Sequence, residues 1–462
     1  MSSLSRLRSV AAFTATVCLL VGMSVPASSQ TVIITRARGK QAVSPAIQPG
    51  APTVAFTTGN LVVFRVGDGS ATLNANATAS FLDEFTTAGL PVQSIALPIV
   101  VSGSNKACTV QGSTTSEGYM TRSQNGQYLV FGCYNQIPTT ATPSGIAGER
   151  VVGRAAANGT IDTTTDLSDP TGNLRSAAST DGSNFWIGTS GAGVRYATIG
   201  TVGASTSIAT TPSNVRTVNI FSGQLYESSA STPNFGVLTV GSGTPTTGAQ
   251  STALIAGFGA GTHSAEQFAF ANSTTLYVAD DGTVANGGGI QKWTFNGATW
   301  SLAYTLLNNT VTTTPVRGLA VDASGANPII YATTAASNAN SLISVIDTGA
   351  GSTATSLATA PANEVYRGVV LAPTITTAAG VSISGHVLSA NGAGLRGVRV
   401  TIQDQRGNSR SVTTNAFGYY TFDDVQSGEA YVIGASARGY TFSQRLIQVF
   451  DSLSTVDLAA SH

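Results

Sequence analysis

Short runs of β-branched and aromatic residues alternate along nearly the whole chain with clusters of Gly, Ser, Asn and Asp, the punctuation of strands and turns. The clearest unit runs from Ala265 to Leu307. Its four apolar runs, Gln267 to Ala271, Leu276 to Ala279, Ile290 to Phe295 and Trp300 to Leu306, predict a four-stranded antiparallel meander. Asn296-Gly297 predicts a two-residue type I′ turn between the last two, because both residue types tolerate positive φ. Trp300, Leu302, Tyr304 and Leu306 occupy every second position and predict one buried face. A lone sheet of this kind cannot cover its own faces, so neighbours of the same shape are required.

The neighbours are in the sequence. A short strand, a polar turn and a second strand with a large residue near its centre recur in YMTRSQNGQYLVFGCY, LRSAASTDGSNFWIGTSG, VRTVNIFSGQLYESS, the copy at 267–281 and VRGLAVDASGANPIIYATT. The second strands are centred near Tyr128, Phe185, Leu225, Leu276 and Ile329, about 40 to 60 residues apart, which is propeller-blade length. A sixth unit closes the ring if the two ends of the region share it. VYRGVVLAP at 365–373, a repeat of VRGLAV at 316–321, supplies the inner strand, and the TVAFTTGNLVVFRVG run near the start supplies outer strands. The expectation is an all-β chain: a six-bladed β-propeller over 53–373, a linker at 374–379, and a small β-sandwich over 380–462, where seven short alternating strands follow one another.

Two blades carry a family resemblance. DGSNFWIGTSGAGVRY at 181–196 resembles the repeat of extracellular sensor propellers, with Trp186-Ile187-Gly188-Thr189 and Gly193-Val194-Arg195-Tyr196 in place, and LYVADDG followed by GGGIQKWTF resembles repeats of NHL-like secreted propellers. Both mark architecture and bring no catalytic residue. Over 380–460 the chain resembles the carboxypeptidase regulatory-like domain, a transthyretin-like sandwich, through Ser384-Gly385-His386-Val387, Gly397-Val398-Arg399-Val400, Asn415 to Phe422 and Gly439-Tyr440-Thr441-Phe442. That resemblance implies a non-catalytic structural or adhesive module of secreted and surface proteins.

The N-terminus changes the compartment. Arg6 and Arg8, an apolar run from Val10 to Val25 and then Pro26-Ala27-Ser28-Ser29 follow the plan of a secretory signal peptide cleaved before Gln30, leaving an irregular leader over 30–52. Lipidation at Cys18 is disfavoured by Val17 before it. No other run is long enough to span a bilayer, so a secreted or cell-envelope protein without a membrane span is expected. Removing residues 1–29 leaves 20 Lys and Arg against 22 Asp and Glu, which gives no support for binding nucleic acid or an anionic membrane. In an oxidising compartment the two remaining cysteines, Cys108 and Cys133, are expected to pair, a bridge worth roughly 3 to 4 kcal/mol in the chain-entropy model.

Candidate chemistry is sparse. His263, His386 and His462 are too scattered for a metal centre, and GxSxG, HExxH, Walker A and EF-hand patterns are missing. Asp83-Glu84, Asp280-Asp281 and Asp423-Asp424 are adjacent acids, but neighbours on a strand point to opposite faces. Asp68, Asp280, Asp281 and Asp322 beside Gly or Ser suit Asx turns better than calcium ligation. Ser179, Asp181 and Trp186 partly resemble the Asp-box turn of sialidase-type propellers. The sequence thus assigns no catalytic, cofactor or metal residue. It leads to a monomeric, non-enzymatic protein that binds a glycan or another protein through propeller loops. The alternative is a polysaccharide lyase or hydrolase whose acids, or an Arg and a Tyr, converge from separate blades on the central channel.

Overall fold

Alternation along one strand shows how the ring is built. In Leu61–Val66 every residue is buried, because Val62 and Phe64 enter one apolar layer while Leu61 and Val63 enter another on the opposite face. The computed structural model describes residues 54–259, 264–306, 315–374, 381–404, 409–427, 429–449 and 451–461. The expected signal peptide at 1–29, the leader at 30–52, most of the 374–379 linker, His263 and His462 lie outside the described residues.

Six antiparallel sheets, each with four consecutively paired strands, form the propeller. The first blade is the shared one. Val365–Leu371 joins Leu61–Val66, Ser80–Phe85 and Pro91–Ala96 as the inner strand, with Leu61 opposite Leu371 and Val66 opposite Val365. The inner strands of the next five blades are Met120–Arg122, Leu174–Ala178, Val218–Phe221, Ala265–Asn272 and Val316–Asp322. The second blade also gains a parallel outer strand, Val202–Gly203, contributed by the third-blade segment.

Apolar layers between blades close the circle. Phe64 meets Phe131, Val130 meets Ile187, Trp186 meets Leu225, Phe258 stacks on Trp293, Tyr277 meets Ile330, and Tyr331 meets Leu61. An open row of six sheets would have five such layers; the sixth, between the last blade and the first, makes the ring. Cys108 and Cys133 are joined by a disulfide inside the first of these layers, with Cα atoms 5.0 Å apart.

The fifth blade corrects two expectations. Phe295 pairs with Trp300, so a four-residue loop replaces the two-residue turn, and Asn296 Oδ1 accepts hydrogen bonds from the amides of Ala298 and Thr299. The strand Trp300–Leu306 also changes face. A bulge sets Trp293 opposite Leu302 and Lys292 opposite Tyr304. Trp300 therefore packs toward the fourth blade, Tyr304 and Leu306 toward the sixth, and Leu302 is exposed.

The C-terminal sandwich has one sheet of Tyr419–Val425, Val381–Leu388 and Leu458–Ala459, and a second of Ser409–Thr413, Arg399–Gln403, Glu429–Ser436 and Arg445–Val449. Ile383, Val398, Val400, Ile402, Tyr420 and Phe422 fill the space between them. Gly418, at φ +86°, makes the turn into the strand on which Tyr420 and Phe422 alternate inward while Tyr419 faces out.

Around the propeller axis the inner strands approach backbone to backbone. The Gly368 amide donates to Gly118 O at 3.1 Å, and a Cβ on Gly368 would lie 2.7 Å from Met120 N and 2.8 Å from Gly118 O. Gly318 is placed alike, with Arg367 O 2.3 Å from a Cβ. Gly368→Ala is expected to lose about 1–3 kcal/mol in chemical denaturation, the usual cost of overpacking. Gly351→Ala, where a Cβ meets nothing within 4 Å, is the control and should be close to neutral. Equal stabilities for the two would refute the crowding argument.

Candidate functional site

The repeat brings one residue of each blade to the same level, at or just before the start of its inner strand: Tyr119, Arg175, Arg216, Glu266, Arg317 and Arg367. In sequence they are the second residues of GYMT, LRSA, VRTV, AEQF, VRGL and YRGV. Tyr119 and Arg216 meet at Glu266. Tyr119 Oη donates to Glu266 Oε2 at 2.5 Å, joining the second blade to the fifth, which stands opposite. Arg216 Nε lies 3.2 Å from Glu266 Oε1, and Arg317 Nε donates to Asp281 Oδ2 at 2.8 Å.

One step further along the strands the axis is bridged. Gln267 Nε2 donates to Met120 O at 2.7 Å and Val369 O at 3.3 Å, while its Oε1 accepts from the Leu319 amide at 3.1 Å. The side chain of the fifth blade thus ties the second, first and sixth together. The ring therefore has a polar floor on one side.

Burial decides the electrostatics. Glu266 is almost wholly buried, and loss of water pushes its carboxyl up to about 6 even though Arg216 and the Tyr119 hydroxyl favour the anion. Tyr119 is fully buried and held well above its usual range by burial and by the Glu266 charge, so at neutral pH it keeps its proton and donates. Burial also draws Arg175 and Arg367 down to about 10. Behind the ring, Glu117 accepts from Tyr134 Oη at 2.7 Å, from the Gln111 amide at 2.8 Å and from Asn173; burial nevertheless raises its pKa.

Two guanidiniums stand out. Arg175 Nη1 donates to Asn214 Oδ1 at 2.5 Å and Val215 O at 3.1 Å, and Arg367 Nη2 donates to Gly112 O at 2.9 Å. Both are more than nine-tenths buried; among the described residues neither forms an ion pair within 4.0 Å, and the Nε of each, like that of Arg216, has no hydrogen-bond partner. Buried charge in that condition is costly unless something completes it.

The residues singled out from sequence fall elsewhere, with one exception. Asp83 pairs with Arg65 at 2.5 Å while Glu84 accepts from Thr57, Asn60 and Gln93, so these adjacent acids do not act together. Asp423 and Asp424 offer only backbone carbonyls to Arg410. Asp68 and Asp322 make turns with Ser70 and Ser324, Asp280 with the Gly282 amide, and Asp181 and Ser179 hold their own turn. Trp186 Nε1 donates to Pro245 O at 2.7 Å. His386 packs on Tyr419 beside Asp457. Asp281 is the exception: its carboxylate belongs to the ring through Arg317 and Ser264 rather than to an Asx turn. Among the described residues, no three His, Cys, Asp or Glu gather to hold a metal ion, and no helix is long and apolar enough to cross a membrane. Sequence reasoning missed the six ring residues. The signal was present, since superposing the quoted repeats places Arg in one column four times.

Residues 382–459 match the carboxypeptidase regulatory-like domain. No curated protein matches the chain. Solved structures similar to it include a putative 6-phosphogluconolactonase from Bacteroides uniformis (12% identity, 79% of this chain and 100% of that one, TM-score 0.39) and a gluconolactonase from Xanthomonas campestris (12%, 70% and 91%, 0.36). A protein from Lactobacillus plantarum is similar over 87% of this chain and 99% of its own, at 10% identity and TM-score 0.38. The propeller rests on the chain's own sheets rather than on these likenesses.

The raised carboxyls make a signed prediction. Glu227, on the fourth blade, is fully buried with neither carboxylate oxygen hydrogen-bonded among the described residues, and burial lifts it well above 4.5. A group that holds its proton more tightly folded than unfolded costs stability as pH rises past the unfolded value, here 4.5. Glu117 and Glu266 act in the same direction. The protein should therefore lose stability between pH 4.5 and neutrality, at up to about 1.4 kcal/mol per group and pH unit. Glu227→Gln should flatten that loss in denaturation measured at both ends, and parallel pH profiles would contradict it.

Proposed function

We propose that this is an extracellular, non-enzymatic binding protein that takes up a glycan at the mouth of its propeller channel, with the C-terminal sandwich as spacer or adhesive module. The observation that carries the reading is the ring itself: six blades deliver Tyr, Glu and four Arg to one level, over a floor made by Gln267. A floored polar cup suits a group inserted from one side, in keeping with the concave, sparsely polar character of ligand sites. A leader with the plan of a signal peptide and a carboxypeptidase regulatory-like domain support an extracytoplasmic setting.

The meeting of Tyr119, Glu266 and Arg216 from separate blades is the convergence that the enzymatic reading, a polysaccharide lyase or hydrolase, calls for. Glu266 is raised to about 6 and touches a tyrosine hydroxyl, which is a poised proton-holding pair. Against it, Glu266 and Tyr119 are almost completely buried, whereas the Arg216 and Arg317 side chains are 20% and 17% exposed. A group approaching from solvent meets guanidiniums first, and Tyr119 holds its proton too firmly to serve as a base.

The test incubates the purified protein with a panel of insoluble polysaccharides and cell-wall preparations, reading protein retained and sugar released from the same tubes. Retention without release is expected, and Arg216→Gln with Arg317→Gln should weaken it. Released oligosaccharide would replace the binding reading with the enzymatic one, and neither retention by nor release from any preparation would sink both.

A further inference from the structure

We propose that the anchoring group of the ligand is a carboxylate, the acid of a uronate sugar, received by Arg175 and Arg367 behind Arg216 and Arg317. This rests on the binding reading and names its chemistry. Three independent features of the ring lead to it.

The first is the pair of orphaned donors. Arg175 and Arg367 belong to the third and first blades, on either side of Tyr119, and both carry a buried Nε with no acceptor. A guanidinium presents its Nε and an Nη as a fork that a carboxylate fills with two oxygens. The protein fills the forks of neither. Arg317 shows the contrast, for its Nε is satisfied by Asp281.

The second is charge. Around the axis stand four guanidiniums, Arg175, Arg216, Arg317 and Arg367, against three carboxylates, Glu117, Glu266 and Asp281. With every acid ionised the excess is a single positive charge, which one carboxylate neutralises. A phosphate monoester, carrying about −1.5 to −2 near neutral pH, would overshoot. Charge imbalance weighs heavily in a site removed from water.

The third is order of access. The Arg216 and Arg317 side chains are 20% and 17% exposed, whereas Arg175 and Arg367 are more than nine-tenths buried. An acid drawn in by the outer pair can exchange onto the inner one, where its donors are unshared with any carboxylate of the chain. The neutral remainder of the sugar meets no comparable requirement.

Thermal shift of the full protein, at constant ionic strength, with sodium galacturonate, sodium glucuronate, galactose, glucose 6-phosphate and a sugar sulfate tests this directly. A saturable rise in Tm with at least one uronate is expected, with none for galactose and weaker effects for the phosphate and the sulfate. Arg367→Lys and Arg175→Lys keep the charge and lose the fork, and each should weaken the uronate about tenfold or more. Arg367→Gln and Arg175→Gln remove a buried charge without an ion-pair partner, so their ligand-free Tm should not fall; either pair of variants reads the same affinity if the other does not fold.

Absence of a saturable shift with both uronates overturns the proposal. So does an equal shift with galactose, a stronger one with the phosphate or sulfate, or unaltered uronate affinity in the folded variants. Retention on neutral polysaccharides without a uronate shift would sink the carboxylate anchor and leave glycan binding standing. A uronate shift without retention on any polysaccharide would do the reverse.

Discussion

The pairing of Val365–Leu371 with Leu61–Val66 is the constraint from which the rest of the propeller follows. It brings segments 300 residues apart in sequence into one sheet and converts a row of blades with two open edges into a ring. Apolar alternation alone would not fix its register, because a slip of two residues leaves every side chain on its proper face. Arg65 supplies what alternation lacks. Its guanidinium is buried between Asp83, at 2.5 Å on the next strand, and Glu364, at 3.3 Å just before the closing strand. A two-residue slip would separate that charge from an acceptor in a place water does not reach, which is far more costly than a shifted valine.

Closure also determines what can stand near the axis. Six inner strands converging on one line leave little room beyond the backbone, and Gly318 and Gly368 follow Arg317 and Arg367 for that reason. Long side chains at the preceding position have one direction left to them, toward one another. The arginines are therefore not isolated buried charges, since Glu266 and Asp281 partner two of them and Glu117 lies near the others. Compensation is incomplete at Arg175 and Arg367, where the Nε of each has no hydrogen-bond partner among the described residues.

Much of the fold was legible in the sequence because its signals are local. Strand runs, Gly and Asn turns, the recurrence of VRGLAV as VYRGVV and the NAFGYYTF run of the sandwich each depend on a handful of adjacent residues. What failed was also local but depended on geometry that letters do not carry. The bulge opposite Trp293 moved Leu302 into solvent and sent Tyr304 to the other face, and Asn296 used its side chain to hold a longer loop than its residue type suggested. The site was hidden for a different reason. Its residues lie about fifty positions apart, and each, taken singly, reads as an ordinary charged residue at the head of a strand.

Composition argues that this concentration of charge is meaningful. Only 10% of the chain is Asp, Glu, Lys or Arg, and Gly, Ser, Thr, Ala and Asn dominate its composition. A protein so poor in charge could fill the neck of its propeller with valine, as it fills the layers between blades, and would avoid the desolvation that raises Glu266 to about 6 and draws Arg175 and Arg367 to about 10. Burying the guanidiniums of Arg175 and Arg367 there makes folding less favourable than an apolar plug would. An anion bound there, as proposed, would recover this cost, and local departures from good packing chemistry are where function is expected to reside.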